Sequence, residues 1–154
     1  MLKDLGFVTT FKGSEGYIKL DHPDLIIEFL VPERGRGTNK PCKLPQLGLN
    51  AVALRFLNFL TDNTVKIKVN NFYVNMPHTI NFALHKLIIS QRRKTEDKSI
   101  KDSNAAIDIL KGIIKNRESA KIKRIYNSVP KKWQKRILNS LEQSGEKEIM
   151  EIFK

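Results

Sequence analysis

The stretch that decides the fold class is residues 65–88, which reads VKIKVNNFYVNMPHTINFALHKLI. Its first five residues alternate strictly between apolar and polar, as in a β-strand. A second apolar run begins at Phe72, after two intervening asparagines. Because asparagine tolerates positive φ, Asn70 and Asn71 between the runs predict a hairpin turn. From Ile80 the apolar residues recur every three or four positions, which predicts a helix with Pro77 as an N1 residue.

The residues before this hairpin also favour strands. We predict short strands at residues 7–11 and 17–20, where β-branched and aromatic side chains lie between turn residues. Residues 25–31 are almost continuously apolar, which predicts a central strand buried on both faces. Residues 32–45, with three prolines and two glycines, predict a long loop, and residues 52–60 predict a short helix.

The residues after the first helix predict three more helices. Apolar positions mark one helix from Ile100 to Ile114, another that ends at Val129 and Pro130, and a last one that stops at Gly145. The expected fold class is therefore α+β: a small mixed or antiparallel sheet in residues 1–76, followed by a basic helical bundle in residues 77–154.

Composition excludes several classes of protein. The chain has 154 residues, of which 40% are hydrophobic, so it can form a core and is not wholly disordered. It contains no run approaching the ~20 apolar residues that a membrane span needs, and no signal-peptide pattern. The single cysteine, Cys42, cannot form an internal disulfide, and no Cys/His cluster has zinc-ligand spacing. We expect a soluble, cytoplasmic protein without a membrane partner.

The positive charge is concentrated in one part of the chain. Of the net charge of +12, residues 86–136 carry +11, from 16 basic and 5 acidic side chains. Such a block indicates a polyanion partner, such as RNA or nucleotide phosphates. A solvated helical surface with no partner is an equally simple interpretation.

Glu28 is the single acid inside the apolar run at 25–31. A carboxylate there is costly unless it is paired, binds a metal or lies at the edge of a cleft. Two hypotheses remain open: a structural ion pair with a core arginine such as Arg55, or a catalytic or metal-binding carboxylate on the sheet.

The first predicted helix carries cations along one edge. Lys86 and Arg93 are seven residues apart, as are His85 and Arg92, so two helical turns bring each pair to nearly the same azimuth. Converging cations of this kind can bind a triphosphate or a nucleic-acid backbone. The alternative is a solvated edge with His85 half-buried against the sheet.

The order of several segments resembles a bacterial nucleotidyltransferase-fold family. The segments are LVPERGRG at 30–37, ALRFLNFL at 53–60 and FALHKLII at 82–89, followed by RR at 92–93 and KD at 101–102. The family consists of minimal nucleotidyltransferases, distantly related to the toxins of abortive-infection systems. The resemblance runs from about Leu5 to Leu110.

This resemblance implies a site for Mg²⁺ and a nucleoside triphosphate held by three sheet carboxylates. Glu28 stands where the third, metal-binding and catalytic carboxylate belongs, and Lys86 at the helix lysine that meets the phosphates. Further nucleotide-binding positions of the related toxins are matched by Arg92, Arg93, Lys101 and Asp102.

The chain also departs from the family pattern. The Gly-Ser turn and the Asp-x-Asp pair that supply the first two carboxylates normally lie upstream. Gly13-Ser14 followed by Asp24 is no substitute, because the second acid of the pair would fall at Ile26. We interpret Gly13-Ser14 as an ordinary hairpin turn. Ala105 also replaces a polar residue that is common in such proteins.

We therefore expect a nucleotidyltransferase-like protein, truncated or divergent, that transfers a nucleotidyl group to an unidentified hydroxyl; whether it is active alone stays open. The alternative is a non-catalytic nucleic-acid-binding module. A third interpretation is a fold completed by another chain or by a second copy. The cations expected to bind RNA or another polyanion outside the nucleotide pocket are Lys121, Lys123, Arg124, Lys131, Lys132, Lys135 and Arg136.

Overall fold

The computed structural model describes residues 3–12, 17–33 and 41–153. It has mixed α+β architecture, with small sheets followed by helices, which confirms the predicted fold class. The chain divides into two compact units, Met1–Asn58 and Phe59–Lys154. The sequence-based division fell at residues 76 and 77, whereas in this division the hairpin at 64–77 groups with the helices.

The described residues of the first unit form two three-stranded sheets. One is antiparallel, with its strands in the order of the sequence, and the other has its third strand in the centre, parallel to the first and antiparallel to the second. The strands of the antiparallel sheet are β1 (Val8–Lys12), β2 (Tyr17–Asp21) and β3 (Ile26–Glu28). Those of the mixed sheet are β4 (Leu30–Pro32), β5 (Cys42–Leu44) and β6 (Leu49–Leu54).

The predicted central strand at 25–31 is wrong in its detail. The chain leaves one sheet after Glu28 and enters the other at Leu30, so the run forms two three-residue strands. Ile26 is 57% exposed, so the run is not buried on both faces. A continuous apolar run predicts burial only when other elements cover both faces of the strand, and that depends on tertiary structure.

The helix predicted at 52–60 is also wrong for most of its length. Residues 49–54 form β6, which pairs with strands on both sides, and only α1 (Asn58–Thr61) is helical. These two ladders use the backbone groups that a helix would have bonded internally. Part of the predicted loop at 32–45 forms the strand β5. Residues 34–40 of that loop lie outside the described residues, as does the turn predicted at Gly13-Ser14.

The hairpin at the start of the second unit is confirmed. Its strands β7 (Thr64–Val69) and β8 (Phe72–Pro77) pair in antiparallel register, and Asn70 adopts a φ of 52° in the turn. Pro77 is the last residue of β8 rather than an N1 residue. The helix cap is instead His78, whose Nδ1 accepts a hydrogen bond from the backbone N–H of Ile80 at 3.3 Å.

The second unit contains the predicted helices and one more. They are α2 (Thr79–Ser90), α3 (Glu96–Lys115), α4 (Ser119–Ser128), α5 (Lys131–Gln143) and α6 (Lys147–Ile152), of which α6 was not predicted. Helix α2 packs on α3, α4 and α5, and its Leu84, Leu87 and Ile88 are fully buried. Gly145, with a φ of 73°, ends α5 as expected.

Within the described residues, no helix is both long enough and apolar enough to cross a membrane.

Candidate functional site

Three charged side chains that the sequence analysis singled out meet between α2 and α3. Asp102 accepts a hydrogen bond from Lys86 Nζ at 2.6 Å through Oδ1, and one from Arg93 Nε at 2.5 Å through Oδ2. The two cations are seven residues apart along the chain, and this carboxylate bridges them. We refer to Lys86, Arg93 and Asp102 as the charged cluster.

The position of Asp102 follows from the pattern of α3. The buried positions of this helix include Asp102, Ala106 and Leu110, which are spaced by four residues and therefore share one face. That face packs against α2, where Lys86 lies one residue from the fully buried Leu87. The carboxylate is thus carried into the helix interface, where burial requires a charged partner.

The electrostatics of the cluster favour the ionised carboxylate. Burial of Asp102 pushes its pKa upward, but the hydrogen bonds and positive charges of Lys86 and Arg93 outweigh burial. The pKa of this carboxyl therefore lies below its ordinary value of 3.8. Two cations share one anion, so the cluster keeps a net positive charge at neutral pH.

Both cations retain hydrogen-bond donors that a ligand could use. The Lys86 side chain is 20% exposed and lies over the Phe82 ring, with Nζ 5.2 Å from the ring centroid. The Arg93 side chain is 39% exposed, and among the described residues Asp102 is its only side-chain hydrogen-bond partner, through Nε. A lysine has three donors and an arginine five, so the cluster can still donate to an anion.

The remaining nucleotide-binding predictions lie outside this hydrogen-bonded cluster. Arg92 is exposed in the turn after α2, and its backbone N–H bonds to the carbonyl of Ile89. Lys101 is exposed on α3, beside Asp102 in sequence. His85 is 2% exposed and thus buried in the second unit, whereas the alternative of a solvated helix edge placed it half-buried.

Glu28 lies in the first unit, exposed at the end of β3. It pairs across the strands with Lys19, and Asp21 lies on the same face because it is two residues from Lys19. Asp21 accepts from Lys19 Nζ at 2.7 Å and from Thr10 Oγ1 at 2.6 Å, contacts that hold its pKa below the ordinary value.

Two residues were predicted to lie near Glu28: Arg55 as an ion-pair partner and Lys86 across a shared cleft. The arginine proposed as its structural partner, Arg55, forms an ion pair with Glu33, whose side chain is 9% exposed. Lys86 belongs to the other unit, so a cleft shared by Glu28 and Lys86 stays a prediction.

The described residues do not by themselves form a metal centre. Nowhere among them do three or more His, Cys, Asp or Glu side chains group so as to hold a metal ion. Glu28 and Asp21 share a sheet face, but Lys19 occupies the space beside Asp21. The set of three carboxylates that the resemblance implies for Mg²⁺ is therefore incomplete here, and we derive no step through the metal.

The seven cations predicted to bind nucleic acid lie in three different settings. Lys132, Lys135 and Arg136 line an open depression of about 460 Å³ together with Arg92. Lys121 forms an ion pair with Glu118, and Lys131 donates to Gln134 Oε1 at 3.3 Å. The remaining two, Lys123 and Arg124, are exposed on α4.

A second cavity in the helical unit is lined mainly by acidic rather than basic charged side chains. It has a volume of about 590 Å³ and is lined by Glu96, Asp108 and Glu146, with Lys111 as its cation. Lys111 donates to Glu146 at 2.7 Å, and that contact raises the pKa of Lys111. The surplus of carboxylates makes this cavity unsuitable for a triphosphate.

Sequence reasoning missed two lysines and one role. Lys94 and Lys98 line a depression of about 240 Å³ with Arg92, Arg93 and Thr95. The available signal was their position in the charged block, directly after the two arginines. The bridging role of Asp102 could have been found as an acid on the apolar stripe of α3, the argument that singled out Glu28.

The comparisons with known proteins agree with the resemblance. No curated protein and no solved structure gave a significant match to the chain. A family model described as nucleotidyltransferase matches residues 7–130, which include the charged cluster, Glu28 and both arginines of the turn after α2. The chain belongs to this nucleotidyltransferase family.

Proposed function

We propose that the charged cluster binds the phosphates of a nucleoside triphosphate, from which a nucleotidyl group is transferred to an acceptor hydroxyl. The observation that carries the proposal is the pair of hydrogen bonds that fixes Lys86 and Arg93 on one carboxylate. Fixing two cations before the ligand arrives removes part of the ordering cost of binding. Family membership supports a nucleotide as the anion.

The roles within the cluster are unequal. Asp102 is a positioning residue, because both of its oxygens are taken by the two cations. Lys86 supplies a point charge from a half-buried position, whereas Arg93 keeps its terminal guanidinium nitrogens for planar contacts with phosphate oxygens. Glu28 is proposed as one of the carboxylates of the transfer site and as the Mg²⁺ ligand that this chain contributes.

Nucleotide binding by single-charge variants tests the proposal. We expect Lys86→Gln to weaken binding of a fluorescent nucleoside triphosphate by about 10-fold or more, since a hydrogen bond to a charged group is worth about 1.5–3 kcal/mol. Lys115→Gln, at the exposed end of the same bundle's α3, is the matched control and should bind like the wild type. Equal binding by Lys86→Gln and wild type would contradict the proposal.

A non-catalytic nucleic-acid-binding function is the second candidate. The depression lined by Arg92 and the α5 cations favours it, since no acidic side chain is found among the described residues that line that surface. A wild-type protein that binds RNA but no nucleoside triphosphate would favour this candidate over transfer.

A further inference from the structure

Cations from three parts of the second unit line two depressions that share Arg92. Its first half is the depression lined by Lys132, Lys135 and Arg136 of α5 together with Arg92. Its second half is the depression lined by Arg93, Lys94 and Lys98 at the turn before α3, and Arg92 lines this half too. We call this surface the basic groove; in the part of the chain that the structure describes, no carboxylate lines either half.

The fold holds the two halves of the basic groove together. Gln91, in the turn after α2, donates from Nε2 to the backbone carbonyl of Arg136 at 2.6 Å. This bond fixes the turn that carries Arg92 against the middle of α5. Lys132, Lys135 and Arg136 are spaced three and four residues apart, so they share one face of that helix.

The arrangement is costly in the absence of an anion. Like charges three or four residues apart on a helix destabilise it by about 0.2–0.5 kcal/mol per pair. Lys94, Lys98, Lys132 and Lys135 are all exposed, and none forms an ion pair within the described residues. The other described cations of the helical unit include several that are neutralised, such as Lys111 and Lys121. A surface that carries four lysines without an ion pair is one that phosphodiesters recognise.

We propose that the basic groove holds the phosphodiester backbone of a single-stranded nucleic acid. This inference rests on the proposed function in one respect: Arg93 belongs both to the groove and to the charged cluster, so the groove adjoins the proposed nucleotide site and can hold the end of a strand there. The strand is then the acceptor. Its terminal hydroxyl oxygen forms a bond to the α-phosphorus of the nucleotide, the bond from that phosphorus to the oxygen of the β-phosphate breaks, pyrophosphate leaves, and the hydroxyl proton passes to solvent. Contacts from cations to phosphates position a strand without reading its bases, so these cations give little sequence preference, and Gln91 and Asn139 are the lining amides that can contact bases.

Salt dependence gives the expected size of the effect. If the four lysines of the groove each contact one phosphate, log K should fall with log salt with a slope of about −3, from about −0.7 per contact. The double variant Lys132→Gln/Lys135→Gln should reduce the slope by about 1.4 and weaken binding on the order of tenfold at 50 mM salt.

The matched control removes the same charge from a surface outside the basic groove. Lys66→Gln/Lys68→Gln changes two exposed lysines of β7 that line neither depression and should keep most of the wild-type slope and affinity. Binding is measured by fluorescence anisotropy on labelled 20-nucleotide RNA and on DNA of the same sequence, without nucleoside triphosphate or Mg²⁺. Similar binding to both supports backbone recognition, and a preference for RNA supports an RNA acceptor in the same groove.

Three results would overturn the proposal: equal losses in the groove and control variants, stronger binding of a duplex than of either single strand, or no binding by the wild type at 50 mM salt. Lys86→Gln separates this inference from the proposed function, because Lys86 does not line the groove. If nucleotide binding is absent but the groove variants lose strand binding selectively, the transfer function fails and the basic groove stands.

Discussion

Replacing Asp102 by asparagine tests whether one carboxylate holds the charged cluster together. Asparagine has nearly the same volume, so the substitution removes the negative charge and leaves the packing of α3 in place. It replaces one of the two accepting oxygens by an NH2 group, so of the hydrogen bonds from Lys86 at 2.6 Å and Arg93 at 2.5 Å at most one is kept, to an uncharged amide oxygen. Two cations then face each other without an anion between them.

The expected loss follows from the exposure of the three side chains. A hydrogen bond to a charged group contributes about 1.5–3 kcal/mol when buried, whereas an exposed ion pair contributes about 0–1 kcal/mol. Lys86 is 20% exposed and Arg93 is 39% exposed, so the first bond lies near the buried limit and the second near the exposed one. We expect Asp102→Asn to lower the free energy of unfolding by about 2 kcal/mol, less than the ~3–5 kcal/mol for a wholly buried pair.

The pH dependence of the loss identifies the carboxylate as its cause. The pKa of Asp102 is lower in the folded protein than its ordinary value of 3.8, so its contribution is complete above that value. It is lost as the pH falls through the folded-state pKa, because the wild type then carries a neutral carboxyl as well. The difference between wild type and variant should therefore be about 2 kcal/mol at pH 7 and should shrink towards pH 3.

Urea unfolding monitored by circular dichroism at pH 7 and pH 3 measures both differences. Asp108→Asn is the matched control, because Asp108 is exposed on the same helix, and its effect should stay within about 0.5 kcal/mol. A loss for Asp102→Asn no larger than that of the control would refute the reasoning. So would a difference between wild type and variant that is the same at both pH values.

Three further outcomes are expected. Glu28→Gln should leave the melting temperature within about 2 °C of wild type, since the side chain is exposed. The same variant should abolish Mg²⁺-dependent nucleotide binding. A large loss of stability would instead favour a structural ion pair. Phe72→Thr should reduce aggregation in light scattering, because this ring is 57% exposed on the hairpin; unchanged scattering would argue against that face as the cause. Gly145→Ala should cost about 1 kcal/mol at its φ of 73°, whereas Gly112→Ala within α3 should stabilise by about 0.5 kcal/mol; the same sign for both would contradict this.

The parts of the fold that the sequence predicted are those that local patterns determine. The hairpin around Asn70 has its own turn chemistry, and α2 to α5 each carry an apolar stripe of helical spacing. The helix α6 was missed because its six residues are too few for a periodic signal.

The first unit was predicted less well because its strands depend on distant partners. Residues 26–32 and 49–54 owe their conformations to pairing with other strands, in both parallel and antiparallel ladders. Where pairing with other strands determines the backbone conformation, helix and strand propensities predict that conformation poorly. Among the described residues the first unit contributes a single fully buried apolar side chain, Ala51, so its apolar runs do not mark a core.

An exposed apolar face in the second unit bears on the interpretation that another chain completes the fold. In the register of β7 and β8, Val65 opposes Met76, Ile67 opposes Val74 and Val69 opposes Phe72, so all six side chains lie on one face. Each is between 36% and 57% exposed. A face of this composition is typical of an interface, and a partner chain or a second copy therefore stays a prediction, which light-scattering measurement of the molar mass can test.

The shared residue Arg93 gives the clearest connection between the two proposed binding surfaces. Its Nε is held by Asp102, and its side chain also lines the basic groove. A change that releases Arg93 from Asp102 should therefore disturb both surfaces, whereas Lys86→Gln should disturb the nucleotide alone and Lys135→Gln the strand alone. If Asp102→Asn weakens both kinds of binding while these two variants separate them, the carboxylate links the nucleotide to the acceptor. The cluster then acts by geometry as well as by charge, because it fixes where the end of the strand meets the phosphates.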